Sequence, residues 1–180
     1  MPKRAIAPLV NGPVRLRLLE AADLPRTLAW RNQDHIRKWF LHSDVITPEE
    51  HRAWWERYSD RDDDFVFVIE EVATLRRPIG QAALYRVDWS LRRAEFGRLM
   101  IADAAARGRG LARLATSCLV EAALGEWGME EVVLVVLEAN TTARRVYHDC
   151  GFESISRSAG NVHMRRRKAG TLSRLEVVGE

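Results

Sequence analysis

Long apolar runs are missing from this chain of 180 residues. No stretch approaches the ~20 residues of a membrane-crossing helix, so neither a helical span nor a membrane partner is expected. The opening Met1-Pro2-Lys3-Arg4-Ala5-Ile6 has too few apolar residues for a secretory leader, and a cytoplasmic location is expected. Cysteine is scarce. Cys118 and Cys150 show no metal or redox spacing and read as buried free thiols. Lysine is nearly absent: Lys3, Lys38 and Lys168 stand among 28 basic residues, and the rest are arginine. The net charge of +3 is scattered rather than gathered into a patch. The one dense run, Arg165-Arg166-Arg167-Lys168, has no nucleic-acid motif around it, so it reads as a solvated strand end and no nucleic-acid partner is expected. Repeats and linkers are also missing. One α/β domain over residues 1–168 is expected, followed by a tail at 169–180.

What is present has an ordinary globular balance, 47% hydrophobic and 29% charged. Residues 1–12 read as a loose lead-in and Val14 to Leu19 as a half-buried strand. Asp23-Leu24-Pro25 starts a helix to about Asn32, with Asp23 as its cap, and a short helical piece follows over Gln33 to Phe40. Thr47-Pro48-Glu49-Glu50 combines a cap, a first-turn proline and a capping-box glutamate. The helix it opens carries His51, Trp54, Trp55 and Tyr58. Phe65–Glu70, Ile79–Val87 and Ala94–Ile101 are closely linked strands, which suggests an antiparallel meander.

The order then changes. A helix from Gly110 to Trp127 lines up Leu111, Leu114, Ala115, Cys118, Leu119 and Ala122 on one face, and Gly128 stops it. Val132–Leu137 is a continuous apolar run, expected to be a central strand buried on both faces. A helix over Asn140–Cys150 and a hairpin of Phe152–Ser158 with Val162–Lys168 complete the chain. The expected fold is α/β: a mixed sheet of about seven strands flanked by about four helices.

Arg107-Gly108-Arg109-Gly110-Leu111-Ala112 is the most informative stretch. It follows the apolar run Phe96 to Ile101 and opens the long helix. Amides at a helix start have no partners inside the helix, and the helix dipole adds partial positive charge at the same place. Glycine lets a ligand come close to the backbone. A strand feeding such a turn makes a cup for phosphate or pyrophosphate.

That turn is followed by Val132–Leu137, then by Asn140-Thr141-Thr142-Ala143-Arg144-Arg145-Val146-Tyr147, closing on Gly151-Phe152. The combination resembles the GNAT superfamily of acetyl-CoA-dependent N-acetyltransferases over roughly residues 14 to 168. Arg107, Gly110 and Ala112 match that family's phosphate loop, and Asn140, Ala143, Tyr147, Gly151 and Phe152 match its next helix. The Leu16-Arg17-Leu18-Leu19 strand, Trp30-Arg31-Asn32 and Ala94-Glu95-Phe96-Gly97 resemble the branch containing ribosomal-protein N-terminal acetyltransferases. Within it, Trp30-Arg31-Asn32, Ile36-Arg37-Lys38-Trp39 and Glu49-Glu50-His51 are most similar to enzymes acetylating nucleotide-linked amino sugars.

The resemblance implies direct attack of a neutral amine of a small-molecule acceptor on acetyl-CoA, the co-substrate, in a monomer or homodimer. It implies a splayed parallel strand pair at the CoA site, with amides near Met100 and Ile101 holding the acetyl carbonyl and pantetheine arm. It places Arg107, Gly108, Arg109, Gly110, Leu111 and Ala112 around the pyrophosphate. Asn140 would meet the pantetheine arm, where the plain alternative is a helix cap. Arg144 and Arg145 would reach CoA phosphates, or else are solvated charges. Tyr147 is an aromatic core residue on spacing alone; the family position makes it the acid beside the CoA sulfur. Segment 101–107 has no proline where many relatives have one.

The base stays open. The inward strand positions Val133, Val135 and Leu137 carry no glutamate. Glu95 could act through a water or be a salt-bridged surface carboxylate. His51 could accept a proton or sit on a helix surface, and a water chain with no single base also fits. Trp39, Trp54 and Trp55 fall in the segments that cover the acceptor in relatives. Competing readings are a protein N-terminal acetyltransferase, an aminoglycoside acetyltransferase drawn by the Asp60–Asp64 cluster, and a non-catalytic CoA-binding sensor.

Overall fold

The structure, a computed structural model, describes residues 3–170. Most of the tail expected at 169–180 lies outside the described residues. Among these there are eight strands, β1 (Leu9–Asn11), β2 (Val14–Leu18), β3 (Asp64–Glu71), β4 (Arg77–Asp88), β5 (Arg93–Ile101), β6 (Glu131–Leu137), β7 (Glu153–Ser158) and β8 (Asn161–Arg167). Five α-helices accompany them: α1 (Leu24–Arg31), α2 (Asp34–Arg37), α3 (Pro48–Ser59), α4 (Leu111–Leu124) and α5 (Thr141–Asp149). The strands form one sheet ordered β1-β2-β3-β4-β5-β6-β8-β7, antiparallel throughout except for the parallel pair β5 and β6.

The mixed α/β sheet is as expected, with one more strand and one more helix. The extra strand is β1, in the expected lead-in. Three residues are too few for an alternation to show in sequence, and β1 forms because β2 offers it an antiparallel edge.

Alternation along β3 explains the layering. Phe65, Phe67 and Ile69 face one way and join α4 and α5 in the main core, while Val66 and Val68 face the other and meet Leu19, Tyr58, Leu24, Trp54 and Trp55 of the α1–α3 layer. The strand is buried on both faces because helices cover both. β6 is the strand expected to be so, yet it alternates: Val132, Leu134 and Val136 are buried and Val133, Val135 and Leu137 only partly. Its second face is only partly covered.

Local signals decide the helix starts. Thr47 accepts from the Glu50 amide at 3.2 Å and Glu50 returns the bond to the Thr47 amide at 2.8 Å, the expected capping box. Asp23 is a correction. It does not cap α1 with its side chain. Its carboxylate takes both terminal nitrogens of Arg17, at 2.7 and 2.8 Å, and the Glu20 amide at 3.1 Å. A nearby guanidinium outcompetes a helix amide for a carboxylate.

Glu71 is fully buried. It accepts from the amides of Ala73 at 3.1 Å and Thr74 at 3.0 Å, from the Leu75 amide, and from the Thr74 hydroxyl. Burial pushes its pKa up, but the Leu75, Thr74 and Ala73 amides outweigh this and hold it at about 2. The loop so folded carries Thr74, whose hydroxyl accepts from Arg109 at 2.8 Å, so Glu71 braces the glycine turn through one intermediate. Replacing it, Glu71→Gln, is expected to lower the melting temperature at pH 7 by about 5 °C. A depressed carboxyl pKa stabilises above its unfolded value and loses that stabilisation as pH falls towards about 2. Calorimetry from pH 7 down to 3 should therefore show wild type and variant converging below about pH 4.5.

Candidate active site

The site begins where two strands part. β5 and β6 pair at Arg93↔Glu131, Ala94↔Val132 and Glu95↔Val133, and pairing stops there although both strands continue. A bulge in β5 marks the parting. Register steps from Ala83↔Gly97 to Gln81↔Met100, so β5 carries one extra residue. Arg98 occupies it with φ of 50°, a left-handed conformation costly for a side chain with a Cβ. Its guanidinium grips the buried Asp64 at 2.7 and 3.0 Å, a bidentate pair that holds the bulge.

The bulge sets which amides face the gap. The Ala102 amide donates to the Ile79 carbonyl on the β4 side, at 2.8 Å. Alternation then turns the Met100 amide towards β4 and the Ile101 amide towards the parted edge. Of the two expected carbonyl-binding amides, only that of Ile101 faces the gap. Met100 contributes a buried side chain packed with Ile36 and Ala102.

The glycine turn closes one end of the gap. Gly108 and Gly110 both have φ of 72°, and Gly110 is the residue before the first turn of α4. The first bond inside the helix runs from the Leu114 amide to the Gly110 carbonyl, so the amides of Leu111, Ala112 and Arg113 have no partner within it. The first turn has no acidic residue. Arg107 donates to the Ala102 carbonyl at 2.8 Å and contacts His35 at 2.6 Å, fastening the end of β5. Arg109 is fastened to Thr74. Both arginines therefore build the cup, which fits a diphosphate by its outward amides and surrounding cations. Leu111 is buried beneath it and Ala112 half-buried.

Further along, Asn140 caps α5, accepting from the Ala143 amide at 3.1 Å. Arg144 donates to the Glu138 carbonyl at 3.1 Å and Arg145 is exposed. Tyr147 is buried, edge-on to Phe96 at 5.9 Å and Phe152 at 6.1 Å. Phe96 is the first β5 residue past the paired stretch, so Tyr147 stands beside the parting. Burial, and to a smaller degree Cys150, raise its pKa and keep the phenol protonated.

Glu95 and His51 sit on different elements, β5 and α3. Glu95 accepts from the Tyr85 hydroxyl at 2.6 Å and Arg86 at 2.7 Å. Gly97 makes room for that hydroxyl, since a Cβ there would stand 3.0 Å from it. Tyr85 has its pKa raised by burial and by Glu95 and stays a donor. His51 is on α3, stacked on Trp54 at 5.3 Å, and desolvation lowers its pKa. His51, Trp54, Arg31, Phe40, Gln81 and Arg98 are among the residues lining a pocket of about 250 Å³ between the α1–α3 layer and the sheet. Trp55 packs on Tyr58 and Trp39 is exposed.

Tyr85, Arg98, Gln81 and Arg31 were not among the residues expected at the site. Gly97-Arg98 inside an apolar strand was the available sign of a bulge. The other three depend on strand register and helix packing. The Asp60–Asp64 cluster is largely neutralised in pairs: Asp62 with Arg4, Asp63 with Arg61, Asp64 with Arg98. The basic run is similarly paired, Arg165 with Glu153, Arg166 with Glu121 and Arg167 with Glu131. Cys118 and Cys150 are free, half-buried and buried respectively. No helix among the described residues is long and apolar enough to cross a membrane, and none of them form a metal-binding cluster.

This arrangement is that of an acyl transferase using a coenzyme A thioester. The chain belongs to the GNAT acetyltransferase domain family, whose model matches residues 14–153. It is an acetyl-CoA-dependent N-acetyltransferase, with acetyl-CoA as co-substrate. Among solved structures it is similar to a spermidine N-acetyltransferase from Vibrio cholerae in complex with CoA and spermine, with a TM-score of 0.77 at 21% identity over 88% of this chain and 97% of that one. It is also similar to apo FdhC, described as a nucleotide-linked sugar GNAT, with a TM-score of 0.75 at 19% identity over 92% and 91%. A third similar structure is a domain from Methanocaldococcus jannaschii, with a TM-score of 0.75 at 21% identity over 86% and 97%. No curated protein matches the chain.

Gly110 tests the cup. A Cβ there meets nothing within 4 Å, so a side chain would strain only the left-handed backbone and block an incoming phosphate. Gly110→Val is expected to raise the CoA dissociation constant at least about tenfold by calorimetry, a loss of ~1.4 kcal/mol or more.

Proposed function

We propose that the chain transfers acetyl from acetyl-CoA to the primary amine of an amino sugar or nucleotide-linked amino sugar by direct attack. The observation that carries the transfer is the parting of β5 from β6 beside the amide cup of α4 and the phenol of Tyr147. The amine nitrogen forms a bond to the thioester carbon, and the oxygen takes the negative charge while the Ile101 amide donates to it. Collapse breaks the carbon–sulfur bond, and Tyr147 gives its proton to the departing thiolate. The proton lost by the amine goes to Glu95 or His51, directly or through water. Glu95 is already engaged by Tyr85 and Arg86, which favours a water-relayed role. A cytoplasmic location suits a metabolic amine acceptor.

The amino-sugar acceptor is supported by the pocket beside the gap, which Trp54 borders with its ring stacked on His51 and Tyr58. A polycationic acceptor has less support, because the aspartates that would attract it are largely held by arginines.

Thiol release measured with DTNB, using amino sugars, nucleotide-linked amino sugars, ribosomal peptides and aminoglycosides in parallel, tests this reading. Turnover of the sugar amines is expected to lead; CoA binding with no turnover of any amine would make the chain a sensor. Tyr147→Phe should lower kcat by about 10²-fold or more with unchanged CoA affinity, and an unaltered rate removes its acid role. If His51 is the base, kcat/KM rises with pH through a pKa below the ordinary 6.5 and is flat at pH 7 and above. His51→Gln should abolish that limb.

A further inference from the structure

The pocket under the α1–α3 layer is lined by hydrogen-bond donors and by no acidic side chain. Arg31, at the end of α1, borders it. One terminal nitrogen donates to the His42 carbonyl and the guanidinium lies over the Phe40 ring at 4.1 Å. The other, Nη1, is sealed from water with no partner. Asp44 and Arg37 are the charged groups whose fields reach Arg31, and neither is paired with it. Arg37 is spent on Asp34 at 2.8 Å.

Gln81 lines the same pocket, is 9% exposed, and has no side-chain hydrogen bond among the described residues. Arg98 also lines it, with its charge cancelled by Asp64. Leu19, Phe40, Ile46, Trp54 and Val66 form apolar walls. Low polarity around an uncompensated guanidinium strengthens its attraction for an anion and its repulsion of a cation.

We infer that this pocket binds an anionic group of the acceptor, a carboxylate or a phosphate, with Arg31 as the charge partner and Gln81 as a second donor. An oxyanion gives this half-buried guanidinium the charged partner that the His42 carbonyl does not supply. The same pocket discriminates against polyamines, which bring positive charge to an arginine that no carboxylate pairs. The inference rests on the proposed acetyl transfer to a small amine and specifies its acceptor as one carrying an oxyanion.

The test separates binding from turnover. Glucosamine 6-phosphate, glucosamine, glucosaminate and spermidine are compared by calorimetry in the presence of CoA and by thiol release with acetyl-CoA. The phosphate or the carboxylate compound is expected to bind at least about tenfold more tightly than glucosamine, and the better of the two identifies the group. Arg31→Gln should erase that difference, raising KM for the anionic amine about tenfold with kcat nearly constant and leaving glucosamine unaffected. Arg31→Lys should restore part of the preference, which separates charge recognition from misfolding. If no compound turns over, the acetyl-transfer reading fails for these amines and the binding arm decides alone. Equal binding of glucosamine and both anions, tighter binding of spermidine, no detectable binding of either anion, or an Arg31→Gln effect equal for charged and neutral amines would overturn the inference.

Discussion

Everything at this site depends on a strand that has a neighbour for only part of its length. β5 is paired on both sides at Arg93–Glu95 and on one side beyond it. Backbone amides away from water must find partners, and leaving one without costs about 1–3 kcal/mol. The chain accepts this along a short edge and fixes the surroundings so that the edge cannot close. Arg98 occupies the bulge, Asp64 holds Arg98, and Arg107 ties down the carbonyl at the strand's end. A gap bordered in this way has the glycine turn of α4 and the Tyr147 phenol beside it.

The arginine-rich composition has its explanation in the same geometry. Guanidinium forks match carboxylates in two-point contacts that an ammonium cannot make. Arg17 on Asp23 and Arg98 on Asp64 are such contacts at well-shielded carboxylates. Exposed pairs such as Arg61 with Asp63 add little stability, but they cancel charge that would otherwise colour the surface. Arg31 is one of the arginines outside these pairs, and its partners are a carbonyl and a ring.

Local patterns carried far. The capping box at Thr47, the α4 stripe, the glycine turn and the meander are short-range features, each decided by a few neighbouring side chains. The departures share one cause. β1 exists because β2 is there to receive it, Asp23 left its cap because Arg17 lies within reach, and β6 is only half-covered on its second face. Tyr85 and Glu95 are ten residues apart in sequence and meet only through the register of β4 on β5.

Sequence alone determined the family of folds and the glycine turn that opens α4. Both rest on contiguous residues whose backbone preferences and periodicity act over a turn or a strand. The tertiary structure decided which amide faces the gap, which arginines are spent in pairs, and which remain to meet an acceptor. Those outcomes depend on strand register, one inserted residue and the packing of distant helices, and a one-residue shift along a strand turns every group to its other side.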